Sequence, residues 1–127
     1  MKKIIATEKA PAAIGPYSQA TQAGNMVFVS GQLPVDPQTG AFPGDDIQLQ
    51  AKQSLQNLQV VLDKVEIGLE NVLKTTVFLT DIQDFQAFNE VYANFFHKDC
   101  PARSCIQIAA LPKDAKVEVE AIAGKAG

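Results

Sequence analysis

An α+β or α/β sandwich, in which two helices cover one face of a mixed β-sheet, is the fold class that the sequence predicts. Two observations predict it. Two long segments carry apolar residues at helical spacing, and the other apolar segments are short and either β-branched or alternating. Taken along the chain, these segments give the order β-β-β-α-β-α-β-β, without a convincing internal repeat. The 127 residues are expected to form a single domain.

Six strands are predicted, three of them before the first helix. Residues 3–6 and 26–30 are short apolar segments, and residues 17–22 between them are expected to be extended, after a loop broken by Gly and Pro. Gly31 follows the third strand and opens an irregular loop. The later strands are predicted at residues 72–80, 104–109 and 117–122.

The first helix is predicted to begin near Ile47, where Asp45 or Asp46 can cap it. Its apolar stripe consists of Ala51, Leu55, Leu58, Leu62 and Val65. A second helix, capped by Asp81 or Asp84, carries an aromatic stripe at the same spacing. That stripe consists of Phe85, Phe88, Tyr92 and Phe95. We interpret both stripes as core faces that pack against the sheet.

The charge balance argues against a nucleic-acid partner. The 11 Lys and Arg are dispersed and are outnumbered by 14 Asp and Glu, whereas phosphate binding needs concentrated basic residues. No apolar run reaches transmembrane length, and Glu8 comes too early for a signal-peptide core. The protein is therefore expected to be cytoplasmic, with no membrane partner.

The single histidine and the two cysteines do not form a recognisable metal motif. His97, Cys100 and Cys105 are spaced unlike known zinc ligands, and the two cysteines do not form a CxxC redox pair. A disulfide is not expected in a cytosolic chain. We therefore predict no metal site.

Arg103 is the first candidate for a ligand-binding residue. Pro101 cannot extend the preceding helix, so Arg103 enters the next strand from a constrained turn. Its planar fork of donors suits a small carboxylate better than a lysine would. The alternative is an ion pair with an internal Asp or Glu, which is the more frequent role of such an arginine.

Alternation divides the last two strands between two faces of the sheet. One face, expected beneath the helices, holds Ile106, Ile108, Val117, Val119 and Ala121. The other holds Arg103, Cys105, Gln107, Glu118, Glu120 and Ile122. This second face is too polar for a core and too apolar for solvent, which favours a homo-oligomer with clefts at its interfaces. If Arg103 and Glu118 line one cleft, a carboxylate clamp and an acid/base group share a pocket; the alternative is a salt bridge between them.

Five separated motifs resemble those of the Rid family, the reactive intermediate deaminases formerly called the YjgF family, and the RidA type in particular. They are residues 13–20 (AIGPYSQA), 29–32 (VSGQ), 74–78 (KTTVF), 101–105 (PARSC) and 111–114 (LPKD). The resemblance runs from about Ile4 to Ala123. It implies a six-stranded mixed sheet with two helices on one face, similar to trimeric bacterial chorismate mutase, and a barrel-like homotrimer with sites between subunits.

The resemblance also implies an activity. RidA-type proteins hydrolyse 2-enamine and 2-imine acids, which leak from pyridoxal-phosphate enzymes such as threonine dehydratase, to 2-keto acids and ammonia. The reaction itself uses no cofactor. A non-catalytic module that senses 2-keto acids is the alternative; it would keep Arg103 but need not keep Glu118. A ribonuclease, another activity attached to the family, is disfavoured by the acidic charge balance.

Site residues are implied by the same resemblance. Arg103 matches the arginine that holds the substrate carboxylate, and Glu118 matches the acid that positions and activates water. The remaining matches are the backbone NH of Cys105, the pocket-wall residues Tyr17, Ser30 and Gly31, and the polar residue Asn89. Residues 97–100 depart from the pattern: this segment is short, and Cys100 stands where an aromatic residue often lies.

Overall fold

Six strands and two helices make up the architecture of the computed structural model, which describes residues 1–125. The strands are β1 (Lys3–Ile5), β2 (Ala20–Ala23), β3 (Met26–Gln32), β4 (Val72–Leu79), β5 (Ala102–Gln107) and β6 (Val117–Gly124). The helices are α1 (Ile47–Asp63) and α2 (Phe85–Phe95). The strand order across the sheet is β1-β2-β3-β6-β4-β5. The predicted α+β fold with a six-stranded mixed sheet is confirmed.

One pair of strands makes the sheet mixed. β4 and β5 run parallel, and the other neighbouring strands are antiparallel. A parallel pair needs a crossover connection, and α2 supplies it between β4 and β5. β6, the last strand in the sequence, lies between β3 and β4 and joins the two halves of the sheet.

The helix α1 begins where an acidic cap was predicted. Asp46 is the capping residue, because its side chain accepts a hydrogen bond from the Leu49 backbone N–H at 3.1 Å. The predicted apolar stripe is buried along its length. Its fully or almost fully buried members are Ala51, Leu55, Leu58 and Leu62, with Val65 partly buried beyond the helix end. The first helix therefore packs as its sequence pattern predicts.

The aromatic stripe of α2 is only partly a core face. Phe88 and Tyr92 are buried, whereas Phe85 is 36% exposed. Phe96 is buried where Phe95 was expected. The helix ends at Phe95, so Phe96 leaves helical geometry and its ring lies 4.8 Å from that of Tyr92. Neither helix described in residues 1–125 is long and apolar enough to cross a membrane.

The face assignment predicted for β5 is wrong. In the parallel ladder Arg103 pairs with Thr75 and Cys105 with Val77, and both partners are fully buried beneath the helices. Arg103 and Cys105 therefore lie on the helix side of the sheet. Ile106, predicted to be beneath the helices, is 46% exposed on the other side, and Ile108 falls beyond the strand end. Gln107 pairs with buried Leu79 and so also belongs to the helix side.

The assignment for β6 is confirmed. Val117, Val119 and Ala121 are buried, and Glu118 lies on the opposite face, where it pairs with Phe78 of β4. That opposite face, here called the open face, carries a row of ladder partners across five strands. The row consists of Ile4, Thr21, Phe28, Ile122 and Lys74. The two helices pack on the other side of the sheet, so Ile4 and Phe28 remain 55% and 44% exposed.

Candidate functional site

Arg103 lies in a cradle made by one face of α2. Its Nη1 donates a hydrogen bond to Asn89 Oδ1 at 2.8 Å. The guanidinium carbon lies 4.8 Å from the ring centroid of Tyr92 and 5.4 Å from that of Phe85, both within cation–π range. Phe85, Asn89 and Tyr92 are four and three residues apart along α2, so their side chains form one stripe on the helix. The cradle therefore binds the guanidinium through a neutral amide and two ring faces.

The charge of Arg103 is not neutralised by this cradle. Within residues 1–125, the side-chain hydrogen bond of Arg103 is made to an amide oxygen and not to an Asp or Glu carboxylate. The alternative considered from the sequence, an ion pair between Arg103 and an internal Asp or Glu, is therefore not formed by these contacts. A part-buried arginine with a neutral partner retains its charge and its remaining N–H donors for an anionic ligand.

Glu118 lies on the open face, next to Gly31. A Cβ atom built at Gly31 would lie 2.6 Å from Glu118 Cδ, so the carboxyl group packs directly on the glycine backbone. Burial raises the pKa of the Glu118 carboxyl, and the negative charge of Glu120 on the same face adds to the rise. A carboxyl group with a raised pKa can both accept and donate a proton nearer neutral pH.

Ser30 of β3 is joined by two hydrogen bonds to the residues that follow Tyr17. Ser30 Oγ donates a hydrogen bond to the Ser18 carbonyl at 2.6 Å, and the Ser30 N–H donates to the Gln19 carbonyl at 2.9 Å. A cavity of about 210 Å³ opens beside Ser30 and Phe28. Tyr17, 54% exposed, lines a larger open groove of about 560 Å³ along the N-terminal segment. Ser30 directly precedes Gly31, the residue on which the Glu118 carboxyl group packs.

Asn57 fixes the chain just after Gly31. This fully buried amide donates hydrogen bonds to the carbonyls of Leu33 and Val35 at 3.0 and 2.9 Å. The end of β3 is therefore tied to α1, which keeps the Gly31 backbone beneath the Glu118 carboxyl group.

Cys105 is adjacent to Arg103 and packs against the core. Burial raises the pKa of the Cys105 thiol, and the nearby positive charge of Arg103 offsets only part of that rise. The thiol is therefore protonated at neutral pH, which disfavours a thiolate nucleophile. The backbone NH of Cys105 as a carboxylate donor stays a prediction. Both Cys105 and Cys100 are free thiols.

The predicted site residues thus form two groups. Arg103, Asn89 and Cys105 lie on the helix side at the β5 edge, whereas Glu118 and Gly31 lie on the open face. Within one chain the sheet separates the two groups, so the shared cleft inferred from alternation is not formed by a single subunit.

Sequence reasoning missed the role of the aromatic residues of α2. Phe85 and Tyr92 were interpreted as core residues, but both rings contact the Arg103 guanidinium. A usable signal was present: Asn89 stands at helical spacing between the two aromatics, and a polar residue on such a stripe indicates a polar partner.

Together, the fold and the site define a small α+β protein with an uncompensated arginine at one sheet edge and an acid of raised pKa on the open face. The chain belongs to the endoribonuclease L-PSP family, also known as the YjgF, RutC or Rid family, whose model matches residues 7–125. The family expected from the sequence motifs is therefore confirmed.

Relatives and solved structures match nearly the whole chain. The 2-iminobutanoate/2-iminopropanoate deaminase of Salmonella typhimurium is 50% identical over 126 residues, covering 97% of this chain and 98% of that protein. A RutC family protein of Pasteurella multocida is 51% identical over 130 residues, covering 99% and 100%. The crystal structure of Escherichia coli TdcF with bound serine superposes with a TM-score of 0.93 at 50% identity, covering 98% of this chain and 99% of that one.

Proposed function

We propose that this protein is a deaminase that hydrolyses 2-imino acids, such as 2-iminobutanoate and 2-iminopropanoate, to 2-keto acids and ammonia. The observation that carries the proposal is the Arg103 cradle, which holds a guanidinium by neutral groups and leaves its charge for a small carboxylate. The name of the Salmonella relative supports the same substrates. The serine bound to TdcF, a three-carbon amino acid with a carboxylate, is consistent with a ligand of this size in the family.

Arg103 would hold the substrate carboxylate through two parallel N–H donors. This orients the imine carbon, which is already electrophilic and becomes more so when the nitrogen is protonated. Water adds to that carbon while the Glu118 carboxylate accepts a proton from it. The Glu118 carboxyl group then returns that proton to the nitrogen of the carbinolamine. The C–N bond breaks while the carbinolamine hydroxyl gives its own proton to the Glu118 carboxylate, so that ammonia and a 2-keto acid are released.

We further propose that the active unit is a homotrimer with sites between subunits. Arg103 and Glu118 lie on opposite faces of one sheet, so a site that uses both needs an Arg103 from one chain and a Glu118 from another. The exposed apolar members of the open-face row, Ile4 and Phe28, support this arrangement, because covering them with a second copy lowers the free energy of the assembly. On this proposal the protein acts in the cytoplasm beside the pyridoxal-phosphate enzymes that release imines.

A non-catalytic 2-keto acid sensor is the second candidate, and the cradle alone would serve it. A ribonuclease is suggested by the family description, but a chain with 11 basic and 14 acidic residues is poorly suited to a polyanion. The raised pKa and half-buried position of Glu118 favour the enzyme, because a sensor does not need an acid/base group.

A coupled assay tests the proposal. A threonine dehydratase supplied with threonine or serine generates the imine at neutral pH, and 2-keto acid release is followed with and without this protein. We expect faster release with the wild type and the uncatalysed rate with Glu118→Gln. No acceleration from either amino acid would overturn the deaminase proposal, and titration with 2-ketobutanoate would then test the sensor.

A further inference from the structure

Tyr92 contacts both Arg103 and the strand beside it. Its hydroxyl shares a buried hydrogen bond of 2.7 Å with Thr75 Oγ1. Thr75 is the direct ladder partner of Arg103 and is fully buried, and Tyr92 is 6% exposed. The Tyr92 hydroxyl is therefore held by Thr75 of β4, the strand that pairs with the Arg103 strand β5.

We infer that Tyr92, anchored by Thr75, is a positioning residue that sets the plane of the Arg103 guanidinium for the substrate carboxylate. The inference rests on the proposed function of this site. It assigns a role in the site to Tyr92, which the sequence pattern predicted as a core residue, and to Thr75, for which the sequence predicted only a place in a strand.

The ring of Tyr92 cannot tilt freely. Tyr92 packs between Phe88, at a centroid distance of 5.5 Å, and Phe96, at 4.8 Å. With the hydroxyl held by Thr75, both ends of the ring are constrained. A fixed ring face 4.8 Å from the guanidinium carbon restricts the orientations that the guanidinium can take.

The Arg103 guanidinium keeps most of its N–H donors free for a ligand. Asn89 accepts one N–H from Nη1, and a guanidinium has five N–H donors. A carboxylate bound side by side needs two parallel N–H groups in one plane. Since Asn89 and Tyr92 fix that plane before the ligand arrives, little ordering entropy is lost on binding.

Tyr92 does not act as a counter-ion to Arg103. Burial raises the pKa of the Tyr92 phenol, although the Thr75 hydrogen bond and the Arg103 charge oppose the rise. The phenol is therefore neutral at the pH of the assay and contributes its ring quadrupole rather than a charge. The positive charge of Arg103 is left for the substrate.

The choice of threonine at position 75 points to the same role. The buried neighbours on its face of β4 are Val77 and Leu79, and valine has the same shape as threonine without the hydroxyl. Packing alone does not require a hydroxyl at a fully buried position, where it needs a partner. That partner is Tyr92.

The test compares Tyr92→Leu, Thr75→Val and Thr75→Ser with the wild type. Calorimetry measures the Kd for 2-ketobutanoate, and NMR measures the ring-current shift of the Arg103 Nε–H, assigned with Arg103→Lys. We expect Tyr92→Leu to lose the Tyr92 contribution to the ring-current shift, with that of Phe85 remaining, and to bind 2-ketobutanoate about fivefold more weakly. Thr75→Val should weaken 2-ketobutanoate binding by about two- to threefold. Thr75→Ser should bind as tightly as the wild type, because serine keeps the hydroxyl.

A control separates positioning from stability. Leu58→Ala removes a fully buried side chain of α1 and destabilises the fold, but it should leave both the Arg103 shift and the Kd unchanged. If folded Tyr92→Leu binds 2-ketobutanoate as the wild type does, the inference is wrong. A wild type that binds 2-ketobutanoate but does not speed imine hydrolysis contradicts the proposed enzyme and leaves the positioning role supported. A wild type that does not bind 2-ketobutanoate overturns the positioning role.

Discussion

Arg103 and Glu118 lie on opposite faces of the same sheet. Arg103 pairs with buried Thr75 on the helix side, and Glu118 pairs with Phe78 on the open face. A single chain therefore cannot present both side chains to one small substrate. If both groups act on it, the substrate must bind between two chains.

Subunit mixing tests this arrangement directly. Equal amounts of Arg103→Ala and Glu118→Ala chains, each inactive alone, are unfolded together and reassembled. Random reassembly of trimers brings an intact Arg103 to an intact Glu118 at about one site in four, so about a quarter of wild-type activity is expected.

A second mixture provides the control for that experiment. Wild-type chains mixed with the double variant Arg103→Ala/Glu118→Ala should also retain about a quarter of the activity if each site uses two chains, and about half if each site uses one. Activity near half here, with an inactive first mixture, would show that each site belongs to one subunit.

Replacing Arg103 separates its charge from its geometry. Arg103→Ala should lower kcat/KM by at least about a hundredfold, because a charged hydrogen-bonded pair is lost. Arg103→Lys keeps the charge but lacks the planar fork, and should recover only a small part of the activity. Steady-state kinetics in the coupled assay measure kcat/KM for both variants, and circular dichroism and sizing show whether they fold. Lys113 is an exposed basic residue outside the cradle, so Lys113→Ala should keep the kcat/KM of the wild type.

Glu118 should make the fold less stable as pH rises. Its pKa is raised in the folded state above the ordinary value of 4.5, so the protonated form is the one that the fold favours. The stabilising contribution is complete below the unfolded-state pKa and is lost as pH rises through the folded-state pKa. Glu118→Gln removes this loss, so it should be more stable than the wild type at pH 7 while being catalytically inactive.

Urea unfolding at several pH values measures that difference. The stability advantage of Glu118→Gln over the wild type should shrink as the pH is lowered towards 4. An advantage that does not depend on pH would show that Glu118 does not titrate in the way its surroundings indicate.

Gly31→Ala should impair catalysis more than folding. The added Cβ would meet the end of the Glu118 side chain at 2.6 Å, and that side chain can move aside at small cost. The displaced carboxyl group would no longer lie where it activates water, so kcat should fall by about tenfold or more. Gly124→Ala on β6 is the matched control, since its Cβ would meet Leu73 at an ordinary 3.5 Å. Equal losses in the two variants would contradict the role given to Gly31.

Long patterns predicted this fold well. The stripe of α1 runs from Ala51 to Leu62, about three turns of the helix, and the acidic cap Asp46 stands directly before the helix, so both the helix and its buried face follow from the sequence. The alternation of β6 likewise identified its buried face, because valine and alanine alternate with acids over its first five residues.

Short strands that carry apolar residues on one face and polar residues on the other were not predicted as well. β5 is an edge strand of six residues, with Arg103 and Cys105 on one side and Ile106 on the other. Alternation assigned the isoleucine to the core, as it does for most strands. Here α2 supplies an amide and aromatic rings that accommodate the arginine, while the isoleucine lies on the open face. Such a tertiary match cannot be deduced from the strand alone.

The central position of β6 has a consequence for how the protein is made. Every residue of the arginine cradle, from Thr75 to Arg103, precedes β6 in the sequence and is therefore synthesised before the strand that joins β3 to β4. Without β6, strands β1 to β3 and strands β4 to β5 are not paired with each other, and β3 and β4 each have an exposed edge. A nonsense codon or a nick that removes β6 would therefore eliminate the middle of the sheet rather than trim its edge.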